Sequence, residues 1–252
     1  MSSGARTVAI TSGKGGVGKT FVTANLACAL AARGQRVLVL DADLGLANLD
    51  VVLNLHPKLT LHDVFTEKCT LEQAILPAPG GFSVLLAGSG MVEYSRLTPE
   101  VRDKLLRIVE LVKPRYDWVL IDTGAGISDV VLYSVSLAAD VLVVATPEPT
   151  SLTDAYATIK VLATQQQRRH LGLVVNQANR PGEGRTICTQ LQTVLSRFVD
   201  TAGHSFRLDL MGEVKNDAAV RQAVLRRQLL LEQSPGSDAS QGLRALANKL
   251  IG

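Results

Sequence analysis

The chain has 252 residues, 46% of them apolar, and its 26 Lys and Arg against 23 Asp and Glu leave a net charge of +3. That length suits one large domain, spanning 1–252, with a well-buried core, and so small a basic excess does not by itself call for nucleic acid. Three scattered cysteines, Cys28, Cys69 and Cys188, form no C-x-x-C pair, and the four histidines are equally dispersed; this excludes a disulfide framework and a side-chain metal cage and fits a reducing cytoplasm.

The opening residues MSSGARTVAIT lack the charged, apolar and cleavage regions of a signal peptide, and no apolar run approaches the ~20 residues that span a bilayer. A soluble protein is expected. The first apolar run, TVAIT at 7–11, reads as a buried strand. It leads into Gly13-x-x-x-x-Gly18-Lys19-Thr20, the G-x-x-x-x-G-K-[ST] pattern of a phosphate loop, followed by an apolar-periodic helix over 20–33 with Gly34 as its C-cap. Glycines let backbone N–H groups approach phosphate oxygens, aided by the helix N-terminus. Nucleotide contacts are therefore expected from Gly13, Lys14, Gly15, Gly16, Val17, Gly18, Lys19, Thr20 and Phe21. Lys19 suits the β- and γ-phosphates and the Thr20 hydroxyl a Mg²⁺ shell. Lys14 is a second lysine in a loop that needs one.

The next strand, 36–43, ends in Asp41 and Asp43. A short Pro/Gly turn at 76–81 precedes a strand at 82–88, and a helix over 99–112 starts with Thr98 as N-cap and Pro99 in its first turn. The strand at 117–123 then ends in Asp122. An aspartate after four apolar residues at a strand terminus is what holds metal in a phosphate-loop site, so Asp122 and Asp41 are metal candidates beside Thr20, and Asp43 is a candidate to orient the attacking water. Gly124 and Gly126 let the following loop shift with the γ-phosphate. Further strands at 140–149, 171–177 and 207–214 complete an alternation of strand and helix. The fold class is α/β: a doubly wound, mostly parallel sheet of about seven strands with helices on both faces, its strand C-termini and the loops after them on one edge.

KGGVGKT with its additional Lys14 resembles the deviant Walker A motif of the MinD/ParA class of ATPases. DADLGLANLDVVLNL at 41–55, DTGAGIS at 122–128 and TPEPTSLTDAYATIK at 146–160 are similar to the flagellar-number regulators FlhG, FleN and YlxH within that class, over roughly residues 6–250. The resemblance implies an ATP-dependent dimerising switch with weak, Mg²⁺-dependent, dimer-activated ATPase activity that regulates flagellar number or placement. In it, ATP is sandwiched in a homodimer and Lys14 reaches the partner's phosphates, like an arginine finger supplied in trans. It makes Lys14, Lys19 and Asp43 the catalytic set and Asp122 the metal-shell aspartate. Glu148 falls at the nucleotide or the opposite subunit, and Asn176 and Asp217 fall at the adenine. Lys215 stands where the family has proline. The implied partner is a flagellar SRP-type GTPase or a flagellar transcription activator, although MSSGAR carries nothing like the family's GTPase-stimulating D-Q-A-x-x-L-R element.

Alternatives stay open. A ParA-type partition ATPase would use Arg168, Arg169, Arg221, Arg226 and Arg227 on DNA, yet no helix-turn-helix or basic tail accompanies them, and nucleic acid is not the expected partner. An iron–sulfur relative needs cysteines near 123–126, where there are none. The 240–252 segment has Leu243, Leu246, Leu250 and Ile251 on one face, which suits either the inner surface of the cell membrane or the domain's own core. The helix beginning near Ser151, with Asp154, Tyr156 and Lys160, is the expected partner surface.

Overall fold

The computed structural model describes residues 4–45, 47–88, 94, 96–199 and 205–252. Eight strands form one sheet in the order β3-β4-β2-β5-β1-β6-β7-β8. They are β1 (Arg6–Ser12), β2 (Val37–Ala42), β3 (Ile75–Pro77), β4 (Ser83–Leu85), β5 (Trp118–Ala125), β6 (Asp140–Ala145), β7 (His170–Ala178) and β8 (Arg207–Lys215). All neighbouring pairs are parallel except β3 with β4.

The eighth strand is a correction. Ile75, Leu76 and Pro77 pair with Leu85, Val84 and Ser83 across the hairpin, so the Pro/Gly turn begins inside a strand. Three residues are too short to show a hydrophobic period, and Pro77 fits because β3 is the sheet edge. The expected strand at 140–149 also ends early, at Ala145, because Pro149 opens the helix α7 (Pro149–Gln165) instead.

The near-continuous apolar runs are explained by burial on both sides. Along β2, Leu38 and Leu40 enter one core cluster while Val37 and Val39 enter the other. The first core is closed by α5 (Pro99–Val112), α6 (Asp129–Ser136), α7 and α8 (Glu183–Val199), through residues such as Leu105, Val135, Ile159 and Leu191. The second is closed by α1 (Lys19–Ala31), α10 (Leu230–Gln233) and α11 (Asp238–Ile251), through Leu26, Leu30, Leu230 and Leu246. Helix α1 ends at Ala31 with Ala32 as its C-cap, and Gly34, at φ 77°, closes the turn after it rather than capping the helix. Helix α5 has the expected bounds, with the Thr98 hydroxyl accepting from the Val101 N–H.

The remaining helices are α2 (Leu49–Leu53), α3 (Leu61–Phe65), α4 (Leu71–Ala74) and α9 (Ala218–Arg226). The apolar stripe of α11 faces the core: Leu243, Leu246 and Leu250 are buried, and of the four only Ile251 is exposed. Its cations are engaged as well, Lys249 donating to the Leu210 carbonyl and Arg244 to that of Pro235 at 2.6 Å. Of the two readings of 240–252, core packing is the one observed. Among the described residues no helix is long and apolar enough to cross a membrane.

Candidate functional site

Strand β1 lies at the middle of the sheet, and its C-terminus opens into the phosphate loop. Gly16 and Gly18 hold φ of 81° and 87°, the left-handed region that glycine enters without strain. Gly18 is the N-cap of α1 and offers no side-chain cap, while the first turn holds Lys19 and no acidic residue. A helix start with bare N–H groups and a lysine is electrostatically unsatisfied until an anion sits there. Gly13 serves a different need. A Cβ there would run into the backbone carbonyl of Asp154, so this glycine lets α7 press directly on the loop.

The loop floors a cleft of about 730 Å³ whose lining includes Lys14, Gly15, Gly16, Val17, Gly18, Lys19, Thr20, Phe21, Asp43 and Asn176. On one side of β1, β5 and β2 bring two aspartates to adjacent positions: Asp41 and Asp122 are register partners across the ladder. Both are buried, at 1% and 2% exposure. Burial pushes the Asp41 carboxyl well above the ordinary carboxylate range, with the charge of Asp122 adding to it. Burial also raises Asp122, opposed by the charge of Lys19 and by hydrogen bonds from Thr20 and Thr23. The Thr23 hydroxyl, one helical turn beyond Lys19, sits 3.0 Å from Asp122 Oδ1. No motif marked Thr23, although its i,i+4 spacing from Lys19 puts both on one helix face.

Asp43 follows β2 into the cleft, and its backbone N–H donates to Asp41 Oδ1 at 3.2 Å. The other oxygen, Asp41 Oδ2, is buried with no hydrogen-bond partner. A buried carboxylate oxygen left without a donor, beside a second carboxylate and a threonine hydroxyl, fits a hard divalent cation. Thr20, Asp41 and Asp122 are the residues that would hold it. Mg²⁺ sites characteristically use one or two carboxylates and complete the shell with phosphate and water. Among the described residues no cluster of three or more His, Cys, Asp or Glu is set to bind metal.

The remaining expected residues are distributed less simply. Lys14 lies at the cleft rim, with Nζ 3.4 Å from Glu148 Oε2 and 3.1 Å from Thr150 Oγ1, and its side chain is 41% exposed. Glu148 is the N-cap of α7 and lies outside the cleft lining. Asn176 is brought to the phosphate loop, its amide nitrogen donating to the Val17 carbonyl at 2.8 Å. Asp217 is the N-cap of α9 and accepts from the Ala219 N–H at 2.9 Å and the Ala239 N–H at 3.4 Å, tying α9 to α11. It does not line the cleft, whereas Val220 and Val224 of the same helix do. Lys215 pairs with Asp238 at 2.8 Å, so the position where the family has proline becomes a further link to α11. Among the lining residues that no quoted motif contained are Val130, Val131 and Gln177, while Asn48 and Val52 lie in the 41–55 motif without an assigned role.

Two surface expectations also find their places. Along α7, Tyr156 meets the Phe198 ring edge-on and the Lys160 ammonium stands 5.3 Å from its centroid, so this face is shared with α8. Arg168 donates to the carbonyls of Val135, Ala138 and Ala139, which commits its guanidinium to the C-terminal end of α6.

A parallel sheet whose first strand feeds a glycine-rich loop and helix, flanked by two acidic strand ends, defines a P-loop nucleotide-binding protein. The ParA family model, described as NUBPL iron-transfer P-loop NTPase, matches residues 4–251. The chain is 42% identical to the antiactivator FleN of Pseudomonas aeruginosa over 96% of its own length and 85% of that protein's. It is 32% identical to the flagellum site-determining protein YlxH of Helicobacter pylori over 97% and 81% of the two chains. Among solved structures, the septum site-determining protein MinD of Pyrococcus horikoshii, complexed with Mg-ADP, superposes with a TM-score of 0.78 at 28% identity, covering 98% of this chain and 96% of that one. The chain thus belongs to the ParA/MinD family of P-loop ATPases. Of the three cysteines, Cys28 and Cys188 are buried and Cys69 is half-buried.

Proposed function

We propose that the chain is a single-domain, Mg²⁺-dependent ATPase switch in which two copies pair over ATP, and that it regulates flagellar number or placement through partner proteins. The observation that carries it is the second lysine. The phosphate loop is complete with Lys19, and among the described residues the Lys14 ammonium reaches an exposed glutamate and a threonine of its own chain. A cation free to be re-aimed at the rim of a nucleotide cleft suits phosphates held by another copy, so hydrolysis would depend on pairing.

Within one copy, the loop N–H groups and Lys19 bind the phosphates. Asp43, which lines the cleft, would orient or deprotonate the attacking water, and Asp122, hydrogen-bonded by Thr20 and Thr23, would serve the metal. Bound Mg²⁺ would neutralise charge on the β- and γ-phosphates. The flagellar assignment rests on the names of the FleN and YlxH relatives. The former is named an antiactivator, which favours an activator protein over a GTPase as the regulated partner. Arg168 is engaged within the chain, which weakens the DNA-binding alternative.

Light scattering with Mg-ATP tests the switch. Wild type should pair transiently and hydrolyse ATP, while Asp43→Ala should pair stably with turnover reduced at least ~100-fold, the scale of losing positioned acid–base assistance. Two persistent monomers would eliminate the paired mechanism.

A further inference from the structure

The face of α1 that carries Lys19 also carries Thr23, one turn further into the helix. Thr23 is fully buried and does not line the cleft, so it is out of a nucleotide's reach. What it does reach is a carboxylate. Its Oγ1 stands 3.0 Å from the Lys19 carbonyl and 3.0 Å from Asp122 Oδ1.

The first contact is ordinary for the residue type. A threonine inside a helix commonly returns its hydroxyl to the carbonyl four residues back, and Thr153, Thr158, Thr164 and Thr193 all do so in this chain. Among the described residues none of those four hydroxyls also meets a carboxylate, as that of Thr23 does. The helix thus fixes where the Thr23 oxygen sits, and β5 brings Asp122 to it. The hydroxyl has one proton for two acceptors, and an ionised carboxylate is the stronger of them.

The two strand-end aspartates are served unequally. Asp41 accepts one N–H, from Asp43, and its other oxygen has no partner. Asp122 accepts from the hydroxyls of Thr20 and Thr23 and lies in the field of Lys19. Of these three groups, Lys19 and Thr20 line the cleft, where phosphates and a cation would draw on them. Thr23 alone is committed to the carboxylate from beneath.

We infer that Thr23 is a positioning residue for the divalent cation: its hydroxyl holds Asp122 Oδ1 and thereby sets how that carboxylate is presented to the metal shell. This deepens the ATPase reading above and rests on it. Mg²⁺ demands near-ideal octahedral geometry, so it is sensitive to the orientation of the few carboxylates that serve it. Hydrogen bonds behind such a carboxylate are worth about 10–100-fold in metal affinity.

The test is titration calorimetry with AMPPNP on wild type, Thr23→Val and Thr23→Ser, first in EDTA and then over a series of Mg²⁺ concentrations. Valine keeps the shape and loses the donor, so Thr23→Val should bind AMPPNP as wild type does in EDTA while needing about tenfold or more Mg²⁺ to reach half of the metal-dependent gain in affinity. Serine keeps the hydroxyl, and Thr23→Ser should stay within about threefold of the wild-type Mg²⁺ requirement. Thr23→Ala repeats the comparison with no methyl group in the hydroxyl's place, which separates a packing fault in Thr23→Val from loss of the donor. A wild-type Mg²⁺ requirement in the valine and alanine variants would overturn the inference. So would equal weakening in EDTA and in Mg²⁺, the mark of a purely structural residue, or a serine variant as impaired as valine. Failure of wild type itself to bind AMPPNP with Mg²⁺ would instead remove the reading on which the inference rests.

Discussion

Asp41 sits near the C-terminal end of β2, 1% exposed, with one oxygen unpartnered and a second carboxylate beside it on β5. Nothing in a protein's stability favours such a residue. Because burial raises its carboxyl and that of Asp122, the folded chain binds more protons than the unfolded one over the window between the ordinary carboxylate range and their raised values. Nucleotide-free stability must therefore fall as pH rises through that window. Asp41→Asn removes one charge from the pair. It should melt above wild type at pH 8 by about 3 °C, corresponding to about 1 kcal/mol for a chain of this size, and the gap should narrow toward pH 5. Added Mg-ATP should stabilise wild type more than the variant and reverse the order. Scanning calorimetry at the two pH values, with and without nucleotide, reads this directly, and a pH-independent gap would remove the explanation. The residue itself was legible from a strand-end aspartate pattern, as were Asp43 and Asp122. The orphaned oxygen and the brace from Thr23 were not, since both depend on which strand ends next to which.

At the scale of elements, the strands that carry the site were readable because parallel strands buried on both faces become unbroken apolar runs. The region between β2 and α5 was readable only at β4, which lies inside the strand expected at 82–88. Its helices α2, α3 and α4 have five, five and four residues, too few to show a 3.6-residue period, and β3 has three. Contact between elements was equally hidden. Glycine at position 13 reads as part of a phosphate pattern, but its missing side chain is also what admits the backbone of α7 at Asp154 and Ala155. Gly15, by contrast, faces open space, with no neighbouring atom within 4 Å of where a Cβ would stand. Gly13→Ala must then move α7 or the loop, an overpacking cost of about 1–3 kcal/mol, whereas Gly15→Ala must move neither. Thermal melting without nucleotide should show Gly13→Ala lower than wild type by several degrees and Gly15→Ala within about 1 °C. Equal melting of the two variants would mean that α7 is not seated on the loop. The same seat matters for the switch, because it joins the phosphate loop to α7, whose N-cap Glu148 and first-turn Thr150 are the residues beside Lys14.

Across the whole molecule, side chains packed into the two cores are fixed by their contacts, whereas exposed side chains at the cleft are adjustable. Helix α11 illustrates the fixed part: its leucines fill the second core and its cations hold backbone carbonyls, so a stripe that periodicity alone left between membrane and core is resolved by what it packs against. Lys14 illustrates the adjustable part. An exposed lysine 3.4 Å from an exposed glutamate contributes at most about 1 kcal/mol, and its hydrogen bond to Thr150 is open to water as well. The fold therefore has little use for Lys14. Lys14→Ala should melt within about 0.5 kcal/mol of wild type and bind AMPPNP with nearly the same affinity, since Lys19 and the loop N–H groups remain. If the lysine acts on phosphates held by a second copy, the same variant should show no nucleotide-induced pairing by sedimentation velocity, and turnover should fall at least ~1000-fold, the scale of losing a cation supplied in trans. The alternative outcomes separate cleanly. Loss of binding together with pairing would place Lys14 in its own copy's phosphate site, and normal pairing with normal turnover would leave it a solvated side chain. Only intact folding and binding with lost pairing makes the second lysine a statement about quaternary structure written into a single chain.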